Sequence, residues 1–185
     1  MADLKISQLT GVTTPMAGTE QVPVVQGGST KKATVADFLC GPVAQAYQSS
    51  AQTLSSATFA LIEYQTELND PNGCFNNTAS PVTLNGLTAP AYSFTPNRAG
   101  WYQISAGLTM GSLASAVTIA IYKNGSIAKI LSLTEPSTTL YGSYGSGLIY
   151  LNGTGDYVQI YGRVSVGQAL QADSTATYID AVQVR

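Results

Sequence analysis

From Tyr102 onward the chain alternates apolar and polar positions. Tyr102, Ile104, Ala106, Leu108 and Met110 are separated by Gln103, Ser105 and Gly107, a period of two that predicts a strand with one buried face. Val117, Ile119 and Ile121 repeat the period, Asn124-Gly125 marks a tight hairpin turn, and residues 127–133 form the return strand. Residues 140–151 and 157–164 flank a second turn, Asn152-Gly153-Thr154-Gly155-Asp156, and residues 177–184 close the series. With residues 59–67 and 92–95 this makes about eight strands and no long helix, the signature of a two-sheet sandwich or jelly roll.

Ahead of this region the texture changes twice. In residues 43–58 there is no Gly or Pro, and Val43, Tyr47, Ala51 and Leu54 recur at four, four and three. That stripe predicts a short linker or neck helix, with an irregular Ser-rich linker as the alternative. Residues 1–42 hold short apolar patches without sustained period: Gln21-Val22-Pro23-Val24-Val25 reads as extended, Gly27-Gly28 as a turn. Thr34 to Leu39 reads as a single helical turn capped by Thr34. The expected division is therefore an arm at 1–42, a linker at 43–58 and a jelly-roll domain at 59–185.

Composition sharpens the picture. The chain is 44% hydrophobic but only 10% charged, with a net charge of −2. A surface so poor in charge implies that copies of the chain, or a larger assembly, cover much of it. The eight basic residues are scattered, which argues against nucleic acid. No apolar run approaches a membrane span, and the first residues do not read as a signal peptide. Cys40 and Cys74 lack metal or redox spacing and read as free thiols or, alternatively, a disulfide.

Histidine is absent, which removes the commonest general base and metal ligand. Glu63, Glu67 and Asp70 are the densest acidic group and read as a solvated face rather than an acid–base pair; Asp70-Pro71-Asn72-Gly73 reads as a turn, with a loop calcium site as the alternative. The expectation is no enzyme, no catalytic residues, no cofactor and no metal. Binding chemistry is better represented. The Tyr-Ser-Gly stretch from Leu140 to Gly147, with Tyr141 and Tyr144, has the composition of a binding loop, or else of a twisted strand relieved by glycines near a threefold axis. Trp101 is either a sugar-stacking residue or core and interface.

Two resemblances add to this reading. Phe94-Thr95-Pro96-Asn97-Arg98-Ala99-Gly100-Trp101-Tyr102 resembles the F-x-P-x-x-x-G-x-Y signature of complement-type globular heads, within the tumour-necrosis-factor-like jelly rolls. Ile121-Tyr122-Lys123-Asn124-Gly125, and Leu151 with Gly155-Asp156-Tyr157-Val158, agree in order and spacing. The resemblance implies a jelly roll that forms homotrimers around an aromatic and aliphatic axis. The arm resembles a segment found at the amino termini of tailed-phage structural proteins, through Lys5 to Leu9, Glu20 to Gly28 and Thr30 to Phe38. That resemblance implies attachment to a virion through Ile6, Leu9, Val22, Val24, Val25, Val35 and Phe38.

Together they imply a virion structural protein made in the host cytoplasm. Its first expected role is capsid decoration, as a cement protein or head fibre bound to the major capsid protein. The alternative is a short tail fibre or receptor-binding protein attached to a tail component, with Tyr141, Tyr144 and Trp101 meeting a host surface glycan.

Overall fold

Alternation is realised as pairing. In a computed structural model, which describes residues 21–34, 41–111, 116–134 and 142–184, the alternating segments build two facing antiparallel sheets. One is five-stranded, running from β14 (Gly142–Leu151) through β11 (Gly100–Thr109), β17 (Tyr178–Val184) and β3 (Val43–Tyr47) to β6 (Thr66–Asn69). The other is six-stranded. It runs from β13 (Ser126–Leu133) through β12 (Val117–Lys123), β15 (Val158–Val164) and β10 (Ser93–Phe94) to β7 (Phe75–Asn76), and β5 (Ala60–Leu61) also pairs with β15.

The apolar positions of the two alternating patterns meet between these sheets. Tyr102, Ile104 and Leu108 from one sheet and Ile119, Ile121 and Ile160 from the other are fully buried in a single cluster. Phe94 and Tyr102 of the nine-residue motif meet edge to face at 5.4 Å, and the Tyr102 hydroxyl donates to the Arg98 carbonyl at 2.7 Å. The motif thus folds its own loop back onto the core. Two small pairs lie outside the main sheets: β4 (Thr53–Leu54) with β16 (Gln168–Ala169), and β8 (Val82–Leu84) with β9 (Leu87–Ala89).

The segment expected to be a helix is not one. Val43–Tyr47 is a strand, with Ala44 and Ala46 buried and Val43, Gln45 and Tyr47 on the opposite face, and Thr53–Leu54 is a second. The small alanines let β3 lie against the core, and pairing along β17 satisfies its backbone. The 4-4-3 spacing was an accident of a strand followed by a bend. Residues 59–67 also depart from expectation, because they are two strands rather than one. The chain leaves β5 in one sheet and enters β6 in the other, burying Ile62 and Tyr64 at the crossing.

Internal contacts divide the chain into two units, Met1–Gly41 and Pro42–Arg185. Within the first, β1 (Gln21–Gln26) and β2 (Ser29–Thr34) form a hairpin in which Val22 pairs with Ala33 and Val24 with Lys31. Gly27 and Gly28 both adopt positive φ, which a two-residue hairpin turn requires. The predicted turn at Thr34 to Leu39 lies outside the described residues apart from Thr34, which ends β2.

Candidate functional site

The outward face of the five-stranded sheet is where the chain departs most from an ordinary soluble surface. Register places its residues in rows. Tyr150, Trp101 and Val184 form the first, and Leu148, Gln103, Val182 and Val43 the second. Ser146, Ser105, Asp180 and Gln45 follow, and then Tyr144, Gly107, Tyr178 and Tyr47. Trp101, Tyr144, Leu148, Tyr150, Val182 and Val184 are each between 42 and 55% exposed. Contiguous apolar and aromatic side chains on a sheet face of this kind mark an association surface.

Both ends of the face are organised. Trp101 and Tyr150 pack edge to face at 5.7 Å. At the other end Tyr144 and Tyr178 stack at 6.3 Å over Gly107, where a Cβ would come within 2.7 Å of both rings. A side chain at 107 would part them. The Tyr144 hydroxyl bonds Thr109 Oγ1 at 2.7 Å, and that hydroxyl donates on to the Ala176 carbonyl at 3.0 Å. Burial, then Asp180, then Tyr144 push the Tyr178 phenol above its ordinary value, so it is a neutral hydroxyl at physiological pH. Asp180 carries the charge in the middle of the face, and its Oδ1 accepts from the Gln45 amide at 3.1 Å.

Of the residues expected to bind a receptor, Trp101 and Tyr144 share this face at opposite ends, and Tyr141 lies outside the described residues. Within one chain, the glycines of the Tyr-Ser-Gly stretch make room for a neighbouring strand. A Cβ on Gly145 would meet the Leu131 carbonyl at 2.6 Å, and one on Gly147 would meet Lys129. They let β13 close over the inner side of β14. The Lys129 and Lys123 ammonium groups then donate to the β14 carbonyls of Leu148 (3.4 Å) and Tyr150 (2.9 Å).

The two later motif blocks also meet. Asp156, 8% exposed, pairs with Lys123 at 2.8 Å and accepts from the Asn124 amide at 2.7 Å and the Asn152 N–H at 3.0 Å. Burial alone would raise its carboxyl. The bonds from Lys123, Asn124 and Asn152 outweigh that and hold it below the ordinary aspartate value. The pair ties the β12–β13 turn to the β14–β15 turn.

Among the described residues, no catalytic constellation assembles. Asp70 Oδ2 accepts from the Cys74 and Phe75 N–H groups at 2.7 and 2.8 Å, which is loop capping. Burial, then Asp70, raise the Glu67 carboxyl. No cluster of three acidic, Cys or His residues that could hold a metal occurs among the described residues. Cys74 is a buried free thiol pushed up to about 11, chiefly by burial, and so stays protonated. Asn76 ends β7, and Asn152 acts within the β14–β15 turn. The Asn76 amide donates to three carbonyls, and Asn152 Oδ1 accepts from Thr154 and Asp156.

Of the expected anchoring residues, Val22, Val24 and Val25 lie on β1, and Val25 is 77% exposed. Ile6, Leu9, Val35 and Phe38 lie outside the described residues.

The sequence matches no protein-family profile and no curated protein. Solved structures do match. Murine APRIL at pH 8.0 aligns with a TM-score of 0.54 at 9% identity, over 77% of this chain and 98% of that one. The tumour-necrosis-factor protein Eiger from S. frugiperda aligns at 0.52 and 11% identity, over 79% and 94%. Vertex protein P5 of PRD1 aligns at 0.51 and 12% identity, over 79% and 99%. The fold is a tumour-necrosis-factor-like jelly roll. The resemblance expected from the nine-residue motif is therefore correct at the level of fold, and these low identities concern fold alone.

Proposed function

We propose that the protein is a non-catalytic structural component of a tailed-phage virion, a homotrimer fixed to the capsid by its N-terminal arm. The observation that carries this is the aromatic and aliphatic face of the five-stranded sheet. A sheet face rich in Trp101, Tyr150, Leu148 and Val182 is stable in water when other copies cover it. The charged fraction of 10% supports the same conclusion, since the remaining surface is poorly suited to a free monomer.

The arm supplies the second half of the reading. A two-stranded hairpin is marginal by itself, so β1 and β2 with exposed Val22 and Val25 are suited to docking on a neighbour. Its resemblance to phage anchoring segments makes that neighbour a particle surface, and the presence of the same fold in a protein named as a PRD1 vertex protein is consistent with such a place.

Light scattering of the purified full chain tests the trimer, and three protomers are expected. Particles lacking the protein test the role. Cement acts by binding assembled capsid and not free subunits, so such particles should break at lower temperature while adsorbing to cells normally. Intact heads with failed adsorption would make the protein a receptor-binding fibre instead.

A further inference from the structure

The outward face of the other sheet should be plainly polar if it only meets water. It is not. On β12 and β15 the rings of Tyr122 and Tyr161 stack at 3.9 Å, and Phe59 meets Tyr122 edge-on at 6.1 Å. Ala120, paired in register with both Tyr161 and Ile130, provides the gap across which Tyr161 leans to reach Tyr122. Ile127 and Ile130 on β13 flank the cluster and are exposed. The core lies on the other side of the sheet from these side chains.

Polar groups are set into the same surface. The Tyr122, Tyr157 and Tyr161 hydroxyls have no hydrogen-bond partner among the described residues. Arg163 lies two residues along β15 from Tyr161 on the same side, roughly 7 Å away. Its Nε donates to the Ala57 carbonyl at 3.1 Å, and no carboxylate pairs with it among the described residues. Arg163 also lines a cleft of about 120 Å3 together with Thr118, Leu133 and Ser165, one register row beyond Ala120 and Tyr161.

We propose that this surface binds an acidic oligosaccharide, a sugar ring packing on the Tyr122–Tyr161–Phe59 cluster and its carboxylate meeting Arg163. A sugar presents C–H faces and hydroxyl edges together, so it satisfies rings and phenol hydroxyls at once. A purely apolar partner would strand the hydroxyls, and a neutral sugar would leave the guanidinium unmatched. The cleft beside the rings gives the carboxylated unit a recess. The proposal rests on the trimer reading in one respect only: burial of the first sheet's face takes Trp101 and Tyr144 out of contention for glycan binding.

The full chain is tested on an array of defined oligosaccharides, uronate- and sialate-bearing chains beside their neutral counterparts. Acidic chains should be retained over neutral ones, and Arg163→Gln should weaken acidic binding about tenfold, to the neutral level. Tyr122→Ala and Tyr161→Ala should abolish retention. Arg163 is exposed, so its variant remains informative if either tyrosine variant fails to fold. The chain's single tryptophan is Trp101, on the opposite sheet, so titration should change tyrosine emission and leave the tryptophan maximum in place.

Retention of no glycan overturns the proposal, as does unchanged binding by Arg163→Gln. A shift of the Trp101 maximum places the ligand on the other sheet and equally overturns it. So does a face that binds no glycan yet has Tyr161 protected from nitration in assembled particles, since its occupant is then a protein. Light scattering of the same sample reports on the trimer separately. A monomer that binds acidic glycans through Arg163 refutes the trimer and leaves this proposal standing.

Discussion

Replacing Asp156 with alanine should cost about 3 kcal/mol of unfolding free energy. The carboxylate accepts two bonds from neutral donors, the Asn124 amide and the Asn152 N–H, worth about 1 kcal/mol each. Its ion pair with Lys123 is partly open to water, because the lysine side chain is 30% exposed, so about 1 kcal/mol rather than the full buried-pair value applies. Urea titration at pH 7 measures the sum directly, and the thermal midpoint should fall by roughly 10 °C. The pH dependence carries an independent sign. A carboxyl held below its ordinary value of 3.8 stabilises fully above that pH and loses its contribution as pH falls through the folded-state value. Wild type and variant should therefore differ most at neutral pH and converge in acid. Lys123→Met should cost less, and the double variant should be less destabilised than the sum of the singles. A difference below about 0.5 kcal/mol at pH 7, with parallel pH profiles, would refute the reasoning.

Four further outcomes are expected. Val182→Asp places a carboxylate amid the apolar rows of the first sheet, and at roughly 3 kcal/mol per protomer it should leave a folded monomer at micromolar concentration by light scattering. Gly107→Ala should cost about 1–2 kcal/mol in urea titration, because its Cβ forces the Tyr144 and Tyr178 rings apart. A chain starting at Pro42 should keep its trimer and fail to join particles; normal incorporation would move the anchor elsewhere. Particles lacking the protein should lose infectivity on heating several degrees below wild type, with adsorption rates unchanged.

The long strands were legible because their alternation is strict and their turns carry explicit chemistry. Asn124-Gly125 adopts positive φ at both residues, as a two-residue hairpin needs, and the Tyr102 hydroxyl closes its own motif onto Arg98. What misled was weak contrast. In Val43–Tyr47 the buried positions are alanines, too small to stand out against Val43 and Tyr47, so the helical spacing is the stronger local pattern. Its strand character is supplied by β17 alongside, a long-range partner that no local window contains. The change of sheet between Leu61 and Thr66 is equally non-local. Trp101 and Tyr144 were identifiable as exposed aromatics, but which face they share depends on register. The Phe59–Tyr122–Tyr161 cluster is illegible in the sequence for the same reason: an aromatic just ahead of β5 and two on β12 and β15 announce nothing until pairing sets them side by side.

The two lysines lying on β14 bear on how growth of an assembly stops. An unpaired strand is a template on which chains add without limit, and a protein stored at high local concentration is at risk of fibre formation there. With β13 laid against Gly145 and Gly147, and with ammonium groups on the carbonyls of Leu148 and Tyr150, that border offers an incoming strand few acceptors. In the proposed trimer, copies then meet through side chains on the outward face of the sheet rather than along this border. A crowded cell filling with newly made chains would accumulate finite particles rather than ribbons.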